Sequence, residues 1–336
     1  MYLIIYRKRS LEGEVLLSQL NRMLEKLMPF ITPVSLLIGV LIGSSLSQYA
    51  FLIPWLFALM TFAGSLNSNF HQLNATIHRP FPIIMALFVL HIFMPAWAWS
   101  VGQVIFPHDV FTSTGLLLAA IIPTGVTSFI WVSIYKGSIP LALSIILIDT
   151  LLAPLIVPYT LLWVVGDTVH LEALKLVKDL CFMIVLPSLL GMCLNQYTKG
   201  TIKQTLGPKL APVSKIGLSV MVMINGGVIA PYLKHIDKKL LFIIVIVFLM
   251  SSAGYFFSWM IGKWLRWDRA KVVTLTFCGG MRNISAGAVL AVSYFPAPVA
   301  VPVVLGMLFQ QVLAALSGRL VQNYYQKKEA EFVSLK

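Results

Sequence analysis

Acidic residues are scarce in this chain. Asp and Glu together number 12 in 336 residues, and charged residues of both signs make up only 11%. A soluble globular domain carries roughly a quarter of charged residues, so a water-facing globule is excluded. With 58% hydrophobic residues and a mean hydropathy of +0.87, the chain reads as an integral membrane protein whose apolar surplus faces lipid. The lack of acids also excludes membrane enzymes that hold magnesium between clustered carboxylates, as prenyl-transfer enzymes do. Intramembrane proteolysis needs a Ser–His dyad, an Asp pair or an HExxH motif. The stretch MRNISAG at 281–287 offers Ser285 with no base in the same motif. Cysteines are few as well: Cys181, Cys193 and Cys278, each inside an apolar run, a spacing that supports neither a disulfide framework nor a zinc site. The chain is expected not to be an enzyme and to hold no metal or other cofactor.

Positive charge is abundant by comparison, with 25 Lys and Arg and a formal net charge of +13. In a soluble protein this would suggest nucleic acid. Here the cations fall between apolar runs, where cytoplasmic loops carry Lys and Arg, so no nucleic-acid partner is expected. A membrane helix needs about 20 apolar residues, and on that basis about ten spans are expected: 29–48, 50–66, 81–105, 113–135, 139–165, 173–194, 212–232, 239–262, 270–293 and 298–322. Arg7, Lys8, Arg9, Arg79, Lys136, Lys199, Lys203, Lys209, Lys263, Arg266, Arg269, Lys271, Lys327 and Lys328 then share one side. That side is the cytoplasm, with both termini inside a cell (inner or plasma) membrane. The run KHIDKK at 234–239 is the exception, placed outside with Asp109 and Asp167. Leu16, Leu17, Leu20, Leu24 and Leu27 recur at helical spacing, so residues 14–27 read as an amphipathic helix on the cytoplasmic face.

Two spans are interrupted. The fourth carries IIPTGVTSF at 121–129, with Pro123 and Gly125 in mid-segment, and the ninth carries FCGGMRN at 277–283, with Gly279 and Gly280. Such residues free backbone groups that must find partners in protein or in a water-filled cavity. Gly125 and Gly279 stand 154 residues apart, as do Pro33 and Pro187. The fold expected is an all-α polytopic membrane protein of two five-helix repeats, 29–165 and 173–322, flanked by a cytoplasmic segment 1–28 and a cytoplasmic tail 323–336. An odd number of spans per repeat inverts the second copy, and the broken helices 4 and 9 then cross near the midplane, where transporters bind substrate.

At these residues the sequence resembles the bile acid:sodium symporter family over nearly all of the chain after residue 30. PTGVTSFIWVSIYKG at 123–137 resembles the family's Pro-Gly-Gly-Thr-Ala-Ser-Asn motif with its following basic-Gly pair. TLLAPLIVP at 150–158, CGGMRN at 278–283 and VPVVLGMLFQQVLAALSG at 301–318 resemble its next span, its Glu-x-Gly-Met-Gln-Asn motif and its last helix. The resemblance implies a panel and a core domain and alternating-access transport of organic anions such as steroids, pantothenate or other carboxylates. It also implies two sodium sites beside the crossing, but most of their ligands are replaced. Ser128 is kept, while Phe129 stands for an Asn, Ala142 and Ile146 for hydroxyls, Cys278 for the shared Glu, Arg282 for a Gln and His91 for a Gln. Sodium is therefore not expected at the usual sites. Either the anion moves without them, or a non-standard sodium site remains, or the chain is a non-transporting receptor or scaffold.

Arg282 is then expected to supply the charge that sodium supplies elsewhere, bracing the crossing or pairing with a substrate carboxylate. Asp149, in the fifth span one turn from Ile146, is expected to meet it, since two buried charges cost less as a pair than alone. His91 is the candidate proton carrier. Asn283, Gln310, Gln311, Thr124 and Thr127 are the expected substrate contacts at the broken-helix ends.

Overall fold

The computed structural model describes residues 19–21, 23, 24, 27, 30–66, 80–166, 172–233 and 237–334. The surface helix expected over 14–27 lies largely outside these, and Arg7, Lys8, Arg9, Arg79, Asp167 and the first half of KHIDKK, 234–236, lie outside them too. The described chain is helical throughout, and its one strand-like feature is an isolated antiparallel bridge between Thr124 and Arg282.

Helix α1 covers Phe30–Ile42. It stops where Gly43 takes φ +71°, a left-handed conformation that a glycine adopts without a Cβ penalty. A 3-10 stretch over Gly43–Leu52 leads into α2, Ile53–Ser65. The α-helix expected over 29–48 is thus shorter, and a second apolar run starts at Ser45. Helix α3 spans Phe81–Ile105, α4 Val110–Ile121 and α5 Ser128–Ile134. Helix α6, Ile139–Val165, keeps Pro154 and Pro158 in its interior. There follow α7, Ala173–Tyr197, α8, Gly207–Leu233, and α9, Lys238–Trp264. Helices α10, Arg269–Gly280, α11, Ile284–Tyr294, and α12, Ala297–Ser334, complete the chain. Among the described residues seven helical runs are long and apolar enough to cross a membrane, while α1, α4 and α11 are shorter apolar helices. The protein is a polytopic, all-helical membrane protein.

Local chemistry explains the irregular points. Within α3 the residues Val89–Phe93 form a π-turn, with the Met94 N–H reaching Val89 O, directly before Pro95. A proline has no N–H to offer the carbonyl four residues earlier, here His91, and the helix widens by one residue to pass the gap. Helix α7 repeats the device at Cys181–Val185 before Pro187. Such π-turns recur at functional sites, and this one carries His91.

Three of the scarce acids are placed at helix starts. Asp109, Asp237 and Asp268 are the N-caps of α4, α9 and α10, accepting from the N–H groups of Thr112, Leu240 and Lys271. Each cap stabilises its helix by about 1 kcal/mol. Asp109 also pairs with Lys239 at 2.8 Å, so the start of α9 and the Asp109 loop share one face of the protein. At the end of α9 the Lys263 ammonium lies over the rings of Tyr324, at 4.0 Å, and Trp259, at 4.5 Å. This cation–π cluster is of the aromatic kind that anchors helices at a membrane interface.

Candidate functional site

The site is built where two helices stop. Helix α4 ends at Ile121 and α5 begins at Ser128; α10 ends at Gly280 and α11 begins at Ile284. The loose ends satisfy each other. Gly125 N–H donates to Met281 O at 2.9 Å, and Asn283 N–H donates to Pro123 O at 2.7 Å. These two bonds frame the Thr124–Arg282 bridge. Buried backbone groups left without partners would each cost a kcal/mol or more, so the two breaks stabilise one another. The approach is close enough to restrict side chains: a Cβ on Gly280 would lie 2.4 Å from the Tyr255 ring, and one on Gly125 would lie 3.0 Å from Arg282 O.

Thr124 locks the crossing from the first break. It is fully buried, and its hydroxyl donates to Cys278 O and, at 3.0 Å, to Met281 O. That hydroxyl is spent on two carbonyls at the end of α10, which corrects its expected role as a free contact for substrate. Thr127 is the exposed N-cap of α5. Asn283 caps α11, its side chain accepting from Ala286 N–H at 3.3 Å. Gln310 accepts from the Arg282 backbone N–H at 3.2 Å, and its carbonyl accepts from the Tyr255 hydroxyl at 3.2 Å. Gln311 accepts from Trp131 Nε1 at 3.2 Å. Ser128 and Cys278 are buried side by side, Oγ and Sγ 3.9 Å apart.

The ionisable groups sort differently from the expectation. Asp149 is fully buried in α6, but it does not form an ion pair with Arg282. Its Oδ1 lies 2.6 Å from His91 Nε2, and its Oδ2 accepts from the Thr124 backbone N–H at 2.6 Å. Each oxygen thus has one partner within hydrogen-bond distance, an imidazole and a backbone N–H, and neither is the guanidinium. Arg282 is 6% exposed, and Asp149 acts on it as a neighbouring charge rather than a bonded one. Both terminal guanidinium nitrogens, Nη1 and Nη2, are buried with no hydrogen-bond partner. A buried cation without bonds is costly, and here it borders a cavity of about 50 Å³. Met94, Leu116, Met250, Tyr255 and Gln310 are among the residues that line it with Arg282. The planar fork of an Arg guanidinium is of the shape that can match a carboxylate or similar group with two parallel bonds.

The His91–Asp149 bond is the feature that sequence reasoning missed. Both residues stand out as ionisable groups in mid-span, His91 at a replaced sodium ligand and Asp149 one turn from another, but 58 residues separate them and no spacing rule joins them. Among the described residues no group of three or more His, Cys, Asp or Glu is placed to hold a metal ion.

Comparison with known proteins gives the following matches. A model of the Sodium Bile acid symporter family matches residues 54–236. The uncharacterized protein YbaS of Bacillus subtilis (strain 168) is 50% identical over 300 residues, covering 89% of this chain and 98% of the relative. The uncharacterized sodium-dependent transporter YocS of the same organism is 22% identical over 271 residues, 80% of this chain and 81% of the relative. A probable chloroplastic sodium/metabolite cotransporter, BASS1 of Oryza sativa subsp. japonica, is 26% identical over 205 residues, 61% of this chain and 50% of the relative.

Proposed function

The chain belongs to the Sodium Bile acid symporter family, and from that premise we propose that it carries a small organic anion across the membrane by alternating access, with Arg282 as the anion's partner. It is a multi-pass membrane transporter and not an enzyme. The observation that carries the reading is the buried guanidinium of Arg282, unbonded at both terminal nitrogens and bordering a cavity at the crossing. The substrate is a carboxylate or a similar anion on an apolar body, bile-acid-like, pantothenate-like or smaller, since the remaining lining residues are mostly apolar. The N-terminus of α11 beside Arg282 adds a partial positive charge to the same place.

The finer architecture belongs to the same proposal. Residues 29–165 and 173–322 are two inverted repeats of five spans, ten in all. Segment 1–28 and tail 323–336 lie on the cytoplasmic face of the cell membrane. Each half carries one broken helix, and the Thr124–Cys278 bond joins positions 154 residues apart, the offset that relates Gly125 to Gly279. Thr127, Asn283, Gln310 and Gln311 line or cap the route to the anion, and no metal or cofactor takes part.

Sodium is the second reading, favoured by the printed names of YocS and BASS1. In this chain the charge at the crossing is covalently fixed as Arg282, and Ser128 pairs with Cys278 rather than with a row of oxygens. We therefore assign the anion transport to a mechanism without the usual two-sodium site. Thermal unfolding of the detergent-purified protein decides between them, because a ligand that binds only the folded state raises its stability. Pantothenate, or taurocholate kept below micelle formation, is expected to raise the melting temperature of the wild type and not of Arg282→Gln. Stabilisation by sodium chloride, but not by potassium or choline chloride, would overturn the sodium-free assignment.

A further inference from the structure

We infer that Gly306 sets the shape of the anion that this protein accepts: a carboxylate or similar head followed by a slender, unbranched stem. The inference rests on the reading of Arg282 given above and goes beyond it to the part of the anion next to the charge.

The cavity beside Arg282 is narrow for its length. Its lining runs along α12 from Pro302 to Gln310 and along α9 from Val247 to Tyr255, each about 12 Å of helix at 1.5 Å per residue. The volume is only about 50 Å³. A water-sized group needs about 10–15 Å³ of such space, so there is room for roughly three to five of them. That is the head of an anion and a few stem atoms in single file. Any wider body of the anion stays outside the cavity.

The glycines on its wall are of two kinds. A Cβ on Gly279 would lie 2.0 Å from Ser258 Oγ, and one on Gly280 would lie 2.4 Å from the Tyr255 ring. Helix packing demands glycine at both. Gly306 is different. A Cβ there would have Ile284 Cδ1 at 3.4 Å and Val247 Cγ1 at 3.9 Å as its nearest neighbours, close to ordinary van der Waals spacing. The backbone makes no demand either, since Gly306 does not take a positive φ. Glycine weakens a helix interior relative to alanine, so neither packing nor conformation accounts for this residue in α12. A side chain at Gly306 would enter the cavity one helical turn from Gln310. The same cavity is lined by Arg282, 6% exposed and unbonded at Nη1 and Nη2, which is the independent sign that the space takes a ligand. Gly306 thus keeps open the room that the stem needs, and its neighbours Ile284 and Val247 leave none for a branch.

The test is thermal unfolding of the full-length protein in detergent, titrated at constant ionic strength with acetate, valerate and pivalate. Valerate and pivalate are isomers with the same charge and differ in branching alone. The response that counts is the one the wild type shows beyond Arg282→Gln, which removes general salt effects. A misfit of one methyl group is worth tenfold or more, so the wild type should respond to roughly tenfold less valerate than pivalate. Gly306→Ala should raise the valerate needed by roughly tenfold and leave acetate within about twofold. Gly217→Ala is the control: it adds the same methyl to α8, 3.8 Å from Met60 and away from the cavity lining, and should behave as the wild type. Should Gly306→Ala not fold, Ile284→Val removes the Cδ1 that faces Gly306 and should bring pivalate towards valerate; a preference left unchanged there overturns the inference. Equal responses to valerate and pivalate in the wild type, or acetate and valerate moving together in Gly306→Ala, also overturn it, while the Arg282-dependent response leaves the anion reading standing. A wild type that responds no more than Arg282→Gln to any of these acids, to pantothenate or to taurocholate overturns both.

Discussion

The two broken helices meet in one place and do opposite things there. At the first break Thr124 is fully engaged: its hydroxyl bonds Cys278 O and Met281 O, its N–H donates to Asp149, and the N–H of Gly125 next to it donates to Met281 O. At the second break the backbone is equally satisfied, but Arg282 adds a guanidinium with two unbonded nitrogens. One break is a joint, and the other is a joint with an unbonded cation set into it, the group proposed above to meet the anion. If that proposal holds, mutations on the two sides should differ in sign as well as in size.

The largest effect should come from Asp149→Leu. It removes the acceptor of the Thr124 N–H and of His91, and it takes away the negative charge nearest to Arg282. Breaking a buried charge arrangement from one side costs about 3–5 kcal/mol, a fall that thermal unfolding in detergent will register. Adding Arg282→Met should recover part of the loss, since the double variant no longer buries an uncompensated cation. A double variant no more stable than Asp149→Leu would show that the two charges do not sense each other.

Arg282→Gln should act the other way. The anion response should weaken by roughly 100-fold, in line with the loss of about 2–5 kcal/mol when one partner of a buried charged pair is truncated. The melting temperature should hold or rise, because the substituted side chain relieves two buried, unbonded nitrogens. A clear drop in stability with the anion response intact would make Arg282 a strut and erase the contrast between the breaks. Thr124→Val, which keeps shape and removes the hydroxyl, should cost about 1–3 kcal/mol for the carbonyls it strands. Thr124→Ser should restore most of that. Substrate affinity per folded molecule should change little in either.

How much of this was legible beforehand follows from the range of each interaction. Helix breaks are local, and Pro123 with Gly125 and the Gly279–Gly280 pair mark them in the sequence. The membrane class needed only composition. The end of α1 was missed because Gly43 follows an apolar run that already contains Gly39, so neither glycine stands out as a stop, and it is the φ of +71° at Gly43 that shows the α-helix ending there. The partners of Asp149 were missed for a different reason. Reasoning by charge alone pairs an acid with the strongest base, so Asp149 was matched to Arg282. A fixed carboxylate takes the donors within hydrogen-bond reach, and a backbone N–H and an imidazole were closer. Likewise Thr124, Asn283, Gln310 and Gln311 are polar in apolar helices, which fits a substrate site and a helix-to-helix bond equally well. In the structure each has a side-chain bond within the protein.

The smallest effect belongs to the far end of α4, and it serves as the control. Asp109 caps that helix and reaches Lys239 at 2.8 Å. Partial burial works against the charged form, but the bonds from Lys239 and Thr112 outweigh it, and the carboxyl is held below its ordinary value. A depressed acid stabilises the fold above its unfolded-state value, near pH 4. That contribution is lost as pH falls through the lower value of the folded state. Lys239 is more than half exposed, so the bridge should be worth about 0.2–1 kcal/mol and less in high salt. Asp109→Asn keeps a cap acceptor and removes the charge, so near neutral pH it should lower the melting temperature slightly. The difference from wild type should close below pH 4. The anion response should be unchanged, because α4 joins Asp109 to the crossing only through its length. An Asp109→Asn variant that weakened the anion response as Arg282→Gln does would mean that α4 transmits changes from its outer end to the break, and that the first break is a moving part rather than a joint.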